Sequence, residues 1–450
     1  MPPFEDLTDD DLARISLPAV TFLHGGTVID ADGPRRADVL IRGGRIEAVG
    51  LQGLDVPRRA QVLDATGCVV APGLVDLHTH LRQPGREEAE TVESGSRAAA
   101  LGGYTAVVAM PNTEPAIDCA AVVKEVQELG RDACCEVAVA GAITVGRAGT
   151  QLAPMAEMAA LGVRIFTDDG TGVADTRLMR RALEYSSTVS RPDGTGVLLA
   201  QHCEDASMAA GGAMHEGEWS SRLGIPGQPH EAEELMVMRD LALARLTGTP
   251  IHFLHLSTAG SVELVRRAKA AGQAVTAEAT PHHFTLTHAA VAGYDPVFKV
   301  HPPLRTEADV QAIRRGLADG TIDAIATDHA PHAAEAKEAP FDEAAPGMLG
   351  LETALALALT ELALPIADVL ALMSWRPATI AGLADQGRPV AAGEWANLCV
   401  VDPAATWTVD ATRLASKSTN TPFAGRQLTG KVRHTVWRGE AVVVDGEAQR

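Results

Sequence analysis

At 450 residues and 46% apolar content, the chain can build one large barrel with additions or two to three domains. A formal charge of -20 argues against a nucleic-acid partner, because phosphate binding needs clustered Lys and Arg. No run of about 18 apolar residues occurs, so no membrane span is expected, and six cysteines without C-x-x-C spacing fit a reducing, cytoplasmic setting better than a disulfide framework.

Residues 1–16 read as an acidic extension (Glu5, Asp6, Asp9, Asp10, Asp11), unlike a secretory signal or a transit peptide. From Val20 the texture changes to short strands punctuated by Gly and Asp, at 27–29, 38–41, 45–49, 62–64 and 68–70. Residues 17–70 are therefore expected to form part of a small β domain. From 71 onward, apolar strand-like runs alternate with helical patterns. The strands are expected at 73–78, 105–110, 136–141, 163–167, 196–202, 251–255, 274–279 and 322–327. Helices are expected at 92–101, 120–129, 177–185, 231–246, 262–271 and 309–317. Apolar strands alternating with helices imply an α/β fold with a parallel sheet covered on its faces. Eight such units imply a closed (β/α)8 TIM-type barrel over 71–387, with reactive groups at the C-terminal strand ends. A doubly wound open sheet is the alternative, lowered by the lack of G-x-G-x-x-G after the first strand. Helical runs at 351–362 and 366–373 then close the barrel. Short strands return at 398–401, 407–409, 432–438 and 441–444, so 388–450 can pair with 17–70 in one small β domain. With aromatics at 4%, the core must be mostly Ala, Val and Leu.

The strand ends carry the chemistry. The first ends in V-D-L-H-T-H-L-R, where His78 and His80, two apart, point the same way from a strand. Two imidazoles so placed suit one metal ion. The fourth strand ends in T-D-D-G, the fifth in Q-H-C-E-D with His202, the sixth in H-L-S-T with His255, and the eighth in A-T-D-H-A-P-H with Asp328 and His332. Each has a plainer reading alone: a turn, a hydrogen-bonded core histidine, a helix cap. Their conjunction at the same ends of separate strands favours a metal site. Four histidines and two aspartates exceed the three protein ligands of a single catalytic zinc. They suit two metals sharing a bridging carboxylate and a bridging hydroxide. Asp328, beside such a hydroxide, could take its proton and pass it to a leaving nitrogen. The reaction class is then hydrolysis, or its reversal, at an amide-like carbon. Arg82, two residues past His80, can clamp a carboxylate through parallel hydrogen bonds, or merely pair with a loop acid. Asn112 of M-P-N-T can add donors to the same carboxylate, or be an ordinary turn residue. The loop from 332 to 348, rich in Ala, Glu and Pro, could be a lid.

Taken in order, V-D-L-H-T-H-L-R, M-P-N-T, F-T-D-D-G, H-C-E-D, H-L-S-T, T-P-H-H, P-P-L-R and A-T-D-H-A-P-H resemble the bacterial type I dihydroorotases of the amidohydrolase superfamily, over residues 20 to 445. The resemblance implies a (β/α)8 barrel with a β-sandwich built from both chain ends. It also implies the reversible cyclisation of N-carbamoyl-L-aspartate to L-dihydroorotate, the third step of pyrimidine synthesis. By this likeness two Zn2+ (or other divalent ions) are bound per subunit, the more buried one by His78, His80 and Asp328. Asp169, the second acid of the D-D-G turn, would bridge both ions, and His202 and His255 would hold the other. Asp328 is the implied catalytic acid–base. His80, Arg82, Asn112, His301 and His332 would contact the substrate, with Pro346 and Gly347 in the lid and Gly347 contributing backbone. The family usually has Asn where this chain has His301, and Phe-Gly where it has Pro346 and Gly347. His301 can donate one hydrogen bond without the two-sided geometry of an amide. A homodimer or higher oligomer, and an aspartate carbamoyltransferase partner, fit the likeness.

Relatives that open hydantoins, dihydropyrimidines or allantoin bridge their metals with a carboxylated lysine on the fourth strand. This chain has no lysine between Lys124 and Lys269, which leaves Asp169 as the bridge. Two other readings compete. A cyclic amidase for uncharged rings would give Arg82 no carboxylate. A silent subunit that scaffolds a carbamoyltransferase would be expected to have lost metal ligands, and all six are present.

Overall fold

Apolar runs alternating with helical stretches become strand–helix units in the computed structural model, which describes residues 20–51 and 54–450. The acidic extension expected at 1–16 lies outside the described residues. Eight strands carry the site: β1 (Leu74–Thr79), β2 (Tyr104–Ala109), β3 (Glu136–Val139), β4 (Ile165–Phe166), β5 (Leu198–Gln201), β6 (Ile251–Phe253), β7 (Val275–Ala279) and β8 (Ala324–Ile325). Their neighbours pair in parallel from β1 to β3 and from β4 to β8. Parallel bridges Gly141↔Phe166 and Thr79↔His329 join β3 to β4 and β8 back to β1. The eight strands thus form one closed circuit of parallel pairings, with no doubly wound order.

A helix follows each of the first seven strands: α1 (Val92–Leu101), α2 (Ala120–Leu129), α3 (Met155–Ala159), α4 (Thr176–Ser186), α5 (Glu231–Thr247), α6 (Ala259–Ala270) and α7 (Glu307–Asp319). Local chemistry sets several starts. Thr91, Asp175, Thr258 and Thr306 each accept a hydrogen bond from a first-turn N–H, satisfying a donor the helix cannot. Beyond β8 come α8 (Ala354–Glu361), α9 (Ile366–Met373) and α10 (Trp375–Ala381). The last is a helix the sequence reading passed over. Its Pro377 falls in the first turn, where a missing N–H is harmless.

Inside the circuit, small and branched residues fill the space: Leu77, Val108, Ala140, Ile165, Ala200 and Leu254 are all buried. Ile380 and Ala381 of α10 join this cluster, and Ala378 packs on Val75 and Ala106 near the strand starts. α10 therefore plugs the end opposite the strand C-termini. A second, larger apolar cluster lies between the strands and the surrounding helices.

Strands from both chain ends pair outside the circuit. A seven-stranded sheet runs Glu447–Ala448, Glu440–Val444, Gln427–Trp437, Leu398–Thr408, Val69–Pro72, Thr27–Asp30, Gly33–Arg36. Val69–Pro72 lies antiparallel to Leu398–Thr408, which is where the two ends meet. A four-stranded sheet runs Arg45–Gly50, Asp38–Arg42, Val20–His24, Gln61–Asp64. Leu23, Ile41, Leu63, Val70, Leu398 and Val436 from the two sheets share one core. The strands expected separately at 398–401 and 407–409 are one strand, with register shifts after Val400 and Asp402 that accommodate Pro403.

Candidate active site

The C-terminal ends of β1, β4, β5, β6 and β8 bring six expected side chains into one buried cluster. From β1 and the residue after it come His78 and His80, with ring centroids 5.2 Å apart. Asp169 follows β4, with Oδ1 3.4 Å from His78 Nε2, 3.3 Å from His202 Nδ1 and 3.5 Å from His255 Nε2. Its Oδ2 is 3.6 Å from His80 Nε2. Asp328, after β8, lies with Oδ1 2.9 Å from His80 Nε2 and 3.5 Å from His78 Nε2. Two triads offer ligand atoms close enough to share an ion: His78, His80 and Asp328, and His78, Asp169 and His255.

The two acids of the D-D-G turn divide their work. Asp168 accepts from the Ile143 and Thr144 backbone N–H groups and from the Thr144 hydroxyl, so it ties the turn to the preceding loop. Asp169 is left facing the histidines. The turn is held from outside by Arg147, whose Nη2 donates to the Asp169 carbonyl at 2.6 Å. Asp76, under β1, is likewise structural: it accepts from the Thr327 N–H and hydroxyl and fixes β8 against β1.

Partners behind the cluster set which histidine nitrogens face it. His78 Nδ1 lies 2.9 Å from Glu278 Oε1, and His80 Nδ1 lies 2.8 Å from Asn112 Oδ1. In each case the Nδ1 side is engaged outward and Nε2 is turned to the cluster, the orientation a metal ligand needs. His78 Nε2 and Asp169 Oδ1 are buried and have no hydrogen-bond partner. Buried polar atoms are rarely left so.

Electrostatics point the same way. Burial alone would raise the Asp169 carboxyl, but His78, His202 and His255 outweigh it and hold the group well below the usual carboxylate range. Burial would lower His78, yet the two carboxylates of Asp169 and Asp328 hold it well above its ordinary value. This is excess negative charge seeking a cation. Glu278, buried between His78 and His252, would be raised by burial but is held at about 2 by those imidazoles.

Three site residues adopt left-handed backbone: Arg82 (φ 61°), His255 (φ 30°) and Asp328 (φ 46°). Such strain in non-glycine residues persists only where the surroundings dictate it, and it clusters at functional sites.

Above the cluster opens a cleft of about 260 Å3 lined by Arg82, Asn112, His301, His332, Pro346 and Gly347, with His80, Asp169, His202, His255 and Asp328 at its floor. Arg82 is buried; its Nε donates to the Pro331 carbonyl, and its Nη2 lies 3.3 Å from His332 Nε2. Burial and nearby Arg86 lower its guanidinium to about 10, which leaves it cationic at neutral pH. His332 Nε2 is 2.8 Å from the Pro346 carbonyl, and burial with the Arg82 charge lowers its imidazole to about 3, so it is neutral. Gly347 has φ 137°, and a Cβ there would lie 2.7 Å from Ala330 Cβ. Its N–H donates to the Lys299 carbonyl, and its carbonyl accepts from Asn420 Nδ2. The 332–348 loop is thereby stitched to the rim of the cleft. His301 Nδ1 stands 3.8 Å from Glu204 Oε2.

Two neighbouring histidines have structural partners: His283 of T-P-H-H bonds Thr280 Oγ1 and the Pro302 carbonyl, and His329 approaches Glu90 and receives the Gly350 N–H. Glu278, His252, Arg86 and Arg147 were missed. Only Glu278 carried a signal, an acid in the middle of the apolar β7 run V-T-A-E-A.

A protein-family model described as Dihydro-orotase-like matches residues 67–261. The chain is 50% identical over 438 residues to the dihydroorotase of Streptomyces coelicolor, covering 95% of this chain and 99% of that one. It is 50% identical over 419 residues to the dihydroorotase of Mycobacterium tuberculosis, covering 92% and 96%. Among solved structures, the L-hydantoinase (dihydropyrimidinase) of Arthrobacter aurescens superimposes with a TM-score of 0.83 at 25% identity, covering 96% of this chain and 97% of that one.

Proposed function

This chain belongs to the dihydroorotase family, and from that premise we propose that its cleft carries out the reversible cyclisation of N-carbamoyl-L-aspartate to L-dihydroorotate. The closed strand circuit is read as a (β/α)8 barrel over 71–387, with a small β-sandwich domain from 17–70 and 388–450. The single observation that carries the reading is the convergence of four imidazoles on Asp169 and Asp328 beneath a buried cationic Arg82.

The donor set fits a pair of divalent cations, with zinc preferred because its ligands are imidazole and carboxylate. His78, His80 and Asp328 would hold one; His202 and His255 the other; Asp169 Oδ1 and Oδ2 reach toward both groups. The two atoms left without hydrogen bonds, His78 Nε2 and Asp169 Oδ1, are ones such ions would satisfy. When bound, the cations lower the pKa of water and polarise a carbonyl oxygen.

The chain's own groups account for the rest. Arg82 and the Asn112 amide N–H2 group take the substrate carboxylate; the Asn112 oxygen is already committed to His80, so its nitrogen is the end left for the ligand. Neutral His332 adds a contact without competing charge. His301 and the Pro346–Gly347 backbone border the ring. Asp328 holds the proton released as water adds to the ring carbonyl and hands it to the departing ring nitrogen; in the cyclisation direction the transfers reverse.

A second reading, hydantoin cleavage, draws on the L-hydantoinase likeness. An uncharged hydantoin leaves Arg82 without its anion. Following ring opening of L-dihydroorotate and of hydantoin by ultraviolet absorbance separates the two. Turnover of dihydroorotate with little or none of hydantoin is expected; the reverse preference would overturn the assignment.

A further inference from the structure

In a chain with a formal charge of -20, surface arginines are readily met by acids, as Arg181 is by Glu184, Arg266 by Glu263 and Arg388 by Glu394. Around the mouth of the cleft this does not happen. Arg82 donates to the Pro331 carbonyl, Arg147 to the Asp169 carbonyl and Lys299 to the Asp342 carbonyl, and none of the three pairs with a carboxylate among the described residues. Backbone carbonyls hold these cations in place without cancelling their charge. Arg86 completes the set. It lies on the cleft wall, exposed, and its side chain has neither an ion pair nor a hydrogen bond among the described residues. Its charge lowers the Arg82 and Arg147 guanidiniums, so it stands within electrostatic reach of both. The acids of the same turn are engaged elsewhere: Glu87 accepts the Gly85 N–H, and Glu90 the Ser416 hydroxyl.

This cationic collar matters most for one of the two ligands of the reaction proposed above. N-carbamoyl-L-aspartate carries two carboxylates. On ring closure the carbon of one becomes the ring carbonyl. The oxygen it loses leaves as water, with one proton from the ureido nitrogen and one from solution. Dihydroorotate therefore keeps a single negative charge. A dianion approaching a molecule of net charge -20 is repelled at long range. Unneutralised cations at the mouth reverse the local field, and clefts lined by one sign of charge raise local ligand concentration and association rate by about tenfold or more. Arg82 and Lys299 are buried and Arg147 is half-buried. Arg86 is the exposed member, the one an incoming anion meets first.

We propose that Arg86 is a specificity-determining residue of this site: it draws the open, doubly charged ligand into the cleft and favours it over the singly charged ring. The inference rests on the reaction proposed above and adds to it a residue outside the carboxylate clamp.

The test is steady-state kinetics of the metal-loaded full chain in both directions, between about 10 mM and about 300 mM salt, with thermal melting to confirm folding. If the collar governs approach, kcat/KM of the wild type falls as salt rises; net repulsion would make it rise. Arg86→Glu should lower kcat/KM about fivefold or more at low salt and flatten or reverse the salt dependence, with kcat moving less. Arg86→Gln, which removes one charge without adding another, should give about half that loss on a logarithmic scale. Because the equilibrium constant is fixed at one pH and salt, kcat/KM must fall by the same factor in both directions. The preference shows instead in KM, which should rise more for carbamoyl aspartate than for dihydroorotate. Arg315→Glu, an equal charge change at an exposed position in the far half of α7, should leave these values as in the wild type. A wild type whose kcat/KM rises with salt would overturn the proposal while leaving the reaction intact. So would an Arg86→Glu variant indistinguishable from Arg315→Glu, or KM values that rise equally for the two ligands. A wild type inert toward both compounds would overturn the reaction, and the inference with it.

Discussion

Asp328 illustrates how far a single side chain's role follows from its neighbours. Its Oδ1 sits 2.9 Å from His80 Nε2, on backbone strained to φ 46°, at the floor of the cleft. Asp328→Asn keeps an oxygen donor but loses the proton-carrying oxygen. It should retain metal while turnover falls by roughly a hundredfold or more, read by absorbance and metal analysis on one sample. Arg82→Ala should raise KM for dihydroorotate more than it lowers kcat, because a carboxylate clamp serves ground state and transition state alike. Glu278 reaches the cluster through His78, while its other oxygen meets His252. Glu278→Gln should weaken metal binding by about tenfold to a hundredfold, measured by competition with a chromogenic chelator. At this scale the sequence was informative wherever a residue's type is unusual for a strand end. His78, His80, His202, His255, Asp328 and the D-D-G turn were legible as a set because metal-ligating types recur at the same end of separate strands. Glu278 was not, since nothing in one chain reveals that β7 passes behind β1's histidine. Nor was the exchange of roles between Asp168 and Asp169 visible without the likeness, since adjacent acids differ only in which way the turn points them.

Helix starts carry much of the support for the strand ends. Asp309, in the first turn of α7, accepts from the Ala259 N–H at the start of α6, from Thr306 and from His230 Nε2 at 2.9 Å. Burial raises its carboxyl, but His230, Thr306 and the Ala259 N–H outweigh burial and hold it below its ordinary value. A depressed carboxyl contributes stability that is present above its unfolded pKa and lost as pH falls through the folded one. The Asp309 hydrogen bond raises His230 above its ordinary value, so its share is present below 6.5 and lost as pH rises through the raised value. The pair is therefore strongest in mildly acidic solution. Asp309→Asn should cost about 1–3 kcal/mol there, seen as a lower Tm at pH 6, with a difference that shrinks only at pH well below the ordinary carboxylate value of about 4. Element placement was readable where apolar runs and caps agree: α1, α2 and α9 match the expected 92–101, 120–129 and 366–373. α10 was missed because its seven residues include Pro377 and make too few turns to show a period.

For the whole molecule, the pairing of Val69–Pro72 with Leu398–Thr408 fastens the two chain ends on one side of the strand circuit, while α10 plugs one of its ends. The other end is free to hold the cleft. The alternation of runs predicted the circuit, but its closure rests on two bridges, Gly141↔Phe166 and Thr79↔His329, which no local pattern encodes. A buried cluster that leaves His78 Nε2 and Asp169 Oδ1 without hydrogen-bond partners should make the fold itself depend on cations. Dialysis against a strong chelator should lower Tm and abolish turnover, and added Zn2+ should restore both. The most direct test measures bound metal and dihydroorotate turnover together, in the purified wild type and in Asp169→Ala. About two divalent ions per wild-type chain are expected, with most of both metal and turnover lost in Asp169→Ala. A wild type that turns over dihydroorotate while free of metal, or an Asp169→Ala variant that keeps its full complement and rate, would contradict that expectation.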